Sequence, residues 1–331
     1  MNLKFWLGII ISLVLMVIIF YQVDFTEVVT ALKSVNYLLL IPAAMILILT
    51  ILIRAFRWKY LLKPVKTVRL YNLFSATSIG FMANMILPAR LGEFIRAYLI
   101  GQREDISKSA SLATIVVERL WDILILLLFL GLILLVTPLA RGDSSLEEGL
   151  KWGGGISLTI LFAMLLSLVL LKEKTTASLS IVQTIMNPLS ATLSLKVENF
   201  ISSFAAGLGT IKGNKDLIYI ALWSFILWVV SALSMHIIFF AFHIYLPFYA
   251  PFFLIVLQAF GVALPSSPGF IGTYHVATIA GLTLLGIPKE QALSIAIVMH
   301  ASFFVPMIVL GISLLWLEGL SLAQIRNISK P

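Results

Sequence analysis

Leu87-Pro88-Ala89-Arg90-Leu91-Gly92 and Leu264-Pro265-Ser266-Ser267-Pro268-Gly269 share one Leu-Pro-x-x-x-Gly pattern, and each interrupts an otherwise apolar stretch. Proline removes a helix hydrogen bond and glycine admits left-handed or closely approached backbone, so each element is expected to end one helix and begin another. Around the two breaks, apolar stretches near residues 5–21, 37–53, 120–136, 152–171, 217–242 and 292–317 each have about the length that a bilayer-crossing helix needs. Of the 331 residues 60% are hydrophobic and only 11% charged, with a mean hydropathy of +1.06, which excludes a soluble domain. The expected fold is an all-α polytopic membrane protein, a single membrane domain over residues 1–331. It has six full spans plus two re-entrant helical hairpins, about eight to ten membrane helices in all.

Charge sets the expected topology. Arg54, Arg57, Lys59, Lys63, Lys66 and Arg69 follow the second apolar stretch with no acid among them, the pattern of a cytoplasmic loop. Arg54, Arg57 and Trp58 read as interfacial anchors there. The net charge of +8 is thus explained without nucleic acid. The first apolar stretch lacks a small-residue cleavage site and reads as a retained span. Counting outward, both termini are cytoplasmic provided residues 71–101 form a hairpin from the inner face and residues 250–287 one from the outer face. The halves, 1–140 and 150–320, then form an inverted repeat, and paired interrupted segments point to a transporter's binding site. The competing reading is two ordinary proline kinks. Residues 179–211 have apolar positions at helical spacing and are expected to form an amphipathic segment, on the cytoplasmic leaflet or, as the alternative, packed as a linker over the bundle.

Two charged groups stand near the first break. Arg90, Glu93 and Arg96 recur every three residues and are expected on one helix face; Glu118, Arg119 and Asp122 lie at the entrance to an apolar run. Charges inside a span face the bundle or a cavity, where they pair or bind a ligand. Guanidinium forks suit phosphate, so Arg90, Arg96 and Arg119 are the expected anion ligands, with structural ion pairing as the alternative. The second break carries Tyr274 and His275 instead, and His236 and His300 lie in spans.

The chain contains no cysteine, no phosphate loop, no His-Glu-x-x-His and no Gly-x-Ser-x-Gly. Neither a cofactor nor a metal is expected. Gly153-Gly154-Gly155 reads as a flexible entry to a span.

Arg54-x-x-Arg57-Trp58, Asn84-x-x-x-Pro88-x-Arg90-x-Gly92-Glu93-x-x-Arg96, Glu118-Arg119-x-x-Asp122 and Pro265-x-x-Pro268-Gly269-x-x-Gly272, in that order, resemble the lysylphosphatidylglycerol synthase transmembrane region, also called the flippase-like or UPF0104 family. The resemblance implies two re-entrant hairpins and a role in moving aminoacyl-phosphatidylglycerol or polyprenyl-linked lipids. Asn84, Tyr274 and His275 are expected to join the arginines and acids at a substrate site, with Pro88, Gly92, Pro265, Pro268, Gly269 and Gly272 forming the breaks. Two departures stand out. No aminoacyl-transferase domain follows the membrane part, so synthesis of lysyl-lipid is not expected, and His275 stands where the family leads one to expect a glutamate.

The leading expectation is a lipid translocase in the cell membrane rather than an enzyme. Its rivals are a membrane-embedded polyprenyl-phosphate glycosyl or group transferase with Glu93 or Asp122 as base, and a scaffold. Expected partners are membrane lipids, a separate lipid-modifying or glycosyltransferase enzyme, and a second copy of the chain.

Overall fold

A computed structural model describes residues 3–21, 23–87, 90–137, 144–173, 214–264, 266–322 and 324. Among them the order is α1 (Leu3–Tyr21), α2 (Phe25–Lys33), a 3-10 turn (Tyr37–Leu39) running into α3 (Leu40–Leu62), α4 (Leu70–Ile86), α5 (Gly92–Arg103), α6 (Lys108–Val136), α7 (Ser144–Glu173), α8 (Asn214–Ala241), α9 (Ala250–Ala263), a second 3-10 turn (Pro268–Phe270), α10 (Thr273–Leu284) and α11 (Lys289–Leu317). No strand occurs among the described residues. Segments Tyr37–Leu62, Lys108–Val136, Glu148–Ser167, Lys215–Ala241 and Lys289–Leu317 are each long and apolar enough to cross a membrane. The first apolar stretch makes a sixth only when α1 and α2 are taken as one broken span. Pro88, Pro265 and the amphipathic segment expected over 179–211 lie outside the described residues.

Both breaks separate paired helices. α4 packs along α5, and α9 along α10. Lipid tails offer helices no hydrophobic reason to associate, so close backbone approach at small residues has to supply the packing. At the first pair a Cβ on Gly92 would sit 1.9 Å from the Gly80 carbonyl oxygen, so no other residue fits without parting the helices. At the second a Cβ on Gly261 would sit 2.7 Å from the Thr273 carbonyl oxygen. The same device joins α6 to α7, where Gly154 faces the Gly131 carbonyl. The three glycines expected to form a flexible entry are therefore interior to a helix, and the middle one is a packing surface.

Among the described residues, ion pairs and loop hydrogen bonds gather at two ends of the bundle. At one end Lys63 pairs with Asp216 at 3.0 Å, Lys66 with Glu104 at 3.7 Å, and Arg103 with Glu318. At the other, Asn36 donates its amide to the Ala241 carbonyl at 2.8 Å, and Ser294 in the first turns of α11 donates to the Val28 carbonyl at 3.2 Å. Buried side chains gather accordingly. One cluster, including Trp58, Leu73, Ile79, Ile95 and Ile100, surrounds the α4–α5 pair; another, including Phe239, Leu254, Leu282 and Met299, surrounds α9–α10.

The two breaks meet between these clusters. The turn Pro268–Phe270 packs on α4, and Arg90 donates through Nη2 to the Val262 carbonyl at 2.8 Å. Its guanidinium carbon stands 5.6 Å from the centre of the Phe270 ring. Arg90 was expected to share a helix face with Glu93 and Arg96. Instead it precedes α5 with φ 55° and turns toward the other helix pair.

Candidate functional site

α3 does not stop where hydropathy falls at Arg54 but runs to Leu62, carrying Arg54 and Arg57 on one face three residues apart. Arg57 and Trp58 are fully buried and Arg54 is 8% exposed. These three, expected to anchor the membrane surface, have their partners inside the bundle on α6. Arg57 reaches Glu118 at 2.9 Å and Asp122 at 2.6 Å, and donates to the Ser224 hydroxyl on α8 at 3.0 Å. Glu118 and Asp122, one helical turn apart, hold Arg57 between them.

α5 brings Arg96 to Glu118. Its Nη2 lies 2.9 Å from Glu118, and its guanidinium stacks 3.7 Å above the ring of Trp58. Trp58 in turn donates Nε1 to the Thr114 hydroxyl at 2.8 Å. Arg119, half-buried, spans Glu93 at 3.3 Å and Asp122 at 3.2 Å. Arg54 comes no closer than 3.7 Å to Asp122. Four guanidinium groups therefore face three carboxylates, leaving one positive charge without a counter-charge among the described residues. Isolated charge is too costly in such surroundings to persist by accident. Asn84 closes the break itself, its Oδ1 accepting the Gly92 amide at 2.8 Å and so occupying one of the free donors at the start of α5.

The second helix pair is uncharged. Gln258 donates to the Tyr274 hydroxyl and to Thr278, each at 3.0 Å. His275, 6% exposed, has no hydrogen bond at Nδ1 and lies 4.9 Å, ring centre to ring centre, from His300. His300 Nε2 lies 2.8 Å from the Gly269 carbonyl oxygen. Gly272 adopts φ 92°, and a Cβ there would come within 2.9 Å of the Ser12 carbonyl in α1. His236 meets the rings of Phe239 and Phe240, and its Nδ1 has no hydrogen bond among the described residues.

Glu93, Arg96, Glu118, Arg119 and Asp122 thus come together as the sequence suggested, while Arg90, Tyr274 and His275 stand at the meeting of the breaks. Ser224 and Gln258 belong to these clusters but were not singled out, whereas Arg57 had been read only as an interfacial anchor and His300 only as a residue within a span. The signal for Arg57 was its three-residue spacing from Arg54 on a continuing helix.

The profile of the Lysylphosphatidylglycerol synthase TM region matches residues 5–311. Glycosyltransferase AglD of Haloferax volcanii is 22% identical over 321 residues, covering 89% of this chain and 51% of that protein, so the chain spans about half the length of this relative. Two proteins of Methanocaldococcus jannaschii are also similar. UPF0104 membrane protein MJ1078 is 24% identical over 228 residues, 69% of this chain and 90% of its own length. UPF0104 membrane protein MJ1595 is 31% identical over 123 residues, 36% of this chain and 37% of its own. No solved structure matches. With a family profile running through α1 to α11 and all four motifs inside it, this chain is a multi-pass membrane protein that belongs to the lysylphosphatidylglycerol synthase transmembrane-region family.

Proposed function

We propose that the protein is a lipid translocase that moves a phosphate-bearing lipid, such as aminoacyl-phosphatidylglycerol or a polyprenyl-phosphate-linked lipid, between leaflets. The observation that carries this reading is the buried cluster of Arg54, Arg57, Arg96 and Arg119 against Glu93, Glu118 and Asp122, set among apolar helices with one positive charge in excess. A phosphate neutralises that charge, and an amine on the headgroup finds its counter-charge at Glu93, the most accessible of the acids. In this reading α4–α5 is a re-entrant hairpin from the cytoplasmic face and α9–α10 one from the outer face, related as inverted repeats. The headgroup passes where their breaks touch, at Arg90 and Gly269. The end of the bundle holding Lys63, Lys66 and Arg103 is cytoplasmic, in keeping with its basic character.

Reconstitution tests the activity. Proteoliposomes are expected to expose inner-leaflet fluorescent phosphatidylglycerol to dithionite faster than protein-free vesicles; equal rates would remove the translocase reading. Because the chain has no cysteine, single replacements report sidedness cleanly. Ser109→Cys should react with impermeant maleimide only from the cytoplasm and Tyr245→Cys only from outside.

The similarity to a glycosyltransferase over 89% of this chain favours a second reading, in which the membrane domain handles the lipid for a glycosyl transfer. Covalent turnover of labelled polyprenyl-phosphate sugar by the chain in detergent, where no transport exists, is its signature.

A further inference from the structure

The arginines at the centre of the cluster are poor candidates for holding a ligand. Arg57 donates through Nη1 to Asp122 and Ser224 and pairs with Glu118 through Nη2. Arg96 donates through Nη1 to Glu118 at 3.1 Å with Nη2 paired to it at 2.9 Å, so both are held against acids even though Nε of each and Nη2 of Arg96 make no hydrogen bond. Asp122 is likewise crowded, receiving Arg57 at both oxygens and Arg119 at one. Arg54 differs. It is 8% exposed, makes no hydrogen bond through Nε or Nη1, and stands 3.7 Å from Asp122, beyond hydrogen-bond reach. Its guanidinium carbon lies 5.0 Å from the centre of the Phe81 ring on α4 and 5.6 Å from that of Trp228 on α8. Stacking on aromatic faces fixes the guanidinium plane while leaving its N–H groups, which point outward in that plane, free to donate. Trp228 contributes a second unsatisfied donor, for its Nε1 is buried without a hydrogen-bond partner. Buried donors are rarely left unmade, since each costs the desolvation of its N–H.

We infer that Arg54 and Trp228, braced by Phe81, form the phosphate subsite of this protein, with Arg57 and Arg96 serving as the scaffold that positions it. The inference rests on the translocase reading for its ligand class, a phosphate oxyanion carried on a lipid, but not for its geometry. Charge supports it too: Arg54 is the member of the cluster least served by the three carboxylates, so the excess positive charge resides with it.

Native mass spectrometry of the full chain in detergent tests this, using phosphatidylglycerol, diacylglycerol and inorganic phosphate as probes. Wild type is expected to retain phosphatidylglycerol and not diacylglycerol. Arg54→Gln should weaken retention by about tenfold, the scale of one charge-assisted hydrogen bond. Arg54→Lys should restore part of it. Trp228→Phe keeps the ring and removes only Nε1, so it remains informative if Arg54→Gln does not fold, and is expected to weaken retention severalfold. Lys63→Gln, at an exposed pair, should retain lipid like wild type. Competition by inorganic phosphate would mark the anion alone as sufficient; its failure would mark the lipid as required. Unchanged phosphatidylglycerol retention in both folded Arg54→Gln and folded Trp228→Phe would overturn the subsite. Arg54-dependent binding without lipid flipping by wild type would overturn the translocase reading and leave the subsite standing. Flipping by wild type with unchanged binding in both variants would do the reverse.

Discussion

Arg57 Nη2 lies 2.9 Å from Glu118 Oε1, and neither side chain has any exposure to solvent. Residues 61 positions apart in sequence tie α3 to α6 there through groups that could not remain charged alone in so buried a place. Removing one member strands the other, which typically costs about 3–5 kcal/mol. Glu118→Gln is therefore expected to lower the detergent-solubilised unfolding temperature well below that of Lys63→Ala. The latter breaks a pair whose lysine is 57% exposed and whose loss costs about 0–1 kcal/mol. Similar thermal profiles for the two variants would show that the cluster is not what holds α3 to α6.

Gly92→Ala makes a second prediction. Its Cβ would fall 1.9 Å from the Gly80 carbonyl, a collision with backbone that no rotamer relieves, so at least the usual overpacking cost of about 1–3 kcal/mol is expected, along with loss of monodisperse protein on size exclusion. Gly286→Ala is the contrast. Its φ of +85° imposes local strain, but nothing stands within 4 Å, so a folded protein destabilised by about 1–2 kcal/mol is expected.

Much of this architecture was legible along the chain. The apolar stretches from 37 onward became α3, α6, α7, α8 and α11, and each Leu-Pro-x-x-x-Gly element became the gap between two packed helices, because local hydropathy and backbone chemistry are written locally. The end of α3 was not legible. Hydropathy falls at Arg54, yet the helix continues because Glu118 and Asp122, far away on α6, neutralise its arginines. Trp58 read as a membrane-surface residue for the same reason: its cationic neighbour Arg96 arrives from α5. His275 read as a stand-in for an acid, while its ring neighbour His300 lies 25 residues on and no spacing rule connects them.

Arg90 is the fastening between the two helix pairs, donating to the Val262 carbonyl and standing over Phe270. Arg90→Ala removes one charge-assisted hydrogen bond, worth about 1.5–3 kcal/mol, without touching either core. Its effect should therefore be local. Hydrogen exchange is expected to accelerate across Val262–Phe270 while the amides of α3 and α6 stay protected. Uniform loss of protection would mean that Arg90 supports the whole bundle.

His300 and His275 should respond differently to replacement although their rings touch. His300 Nε2 lies 2.8 Å from the Gly269 carbonyl, a contact that requires the nitrogen to carry hydrogen. Both the neutral Nε2–H tautomer and the imidazolium supply it, so mild acid leaves the bond intact. His300→Phe keeps an aromatic ring but leaves that carbonyl without its donor, an expected cost of about 1–3 kcal/mol. Gln, whose amide N–H₂ can reach the same oxygen, should recover part of it. His275 makes no hydrogen bond at Nδ1, so His275→Phe removes no donor from that atom and should cost less. Thermal unfolding of the three variants in one detergent gives the order, with His300→Phe the least stable. If His275→Phe were the more damaging, the carbonyl contact at Gly269 would not be what secures the second break.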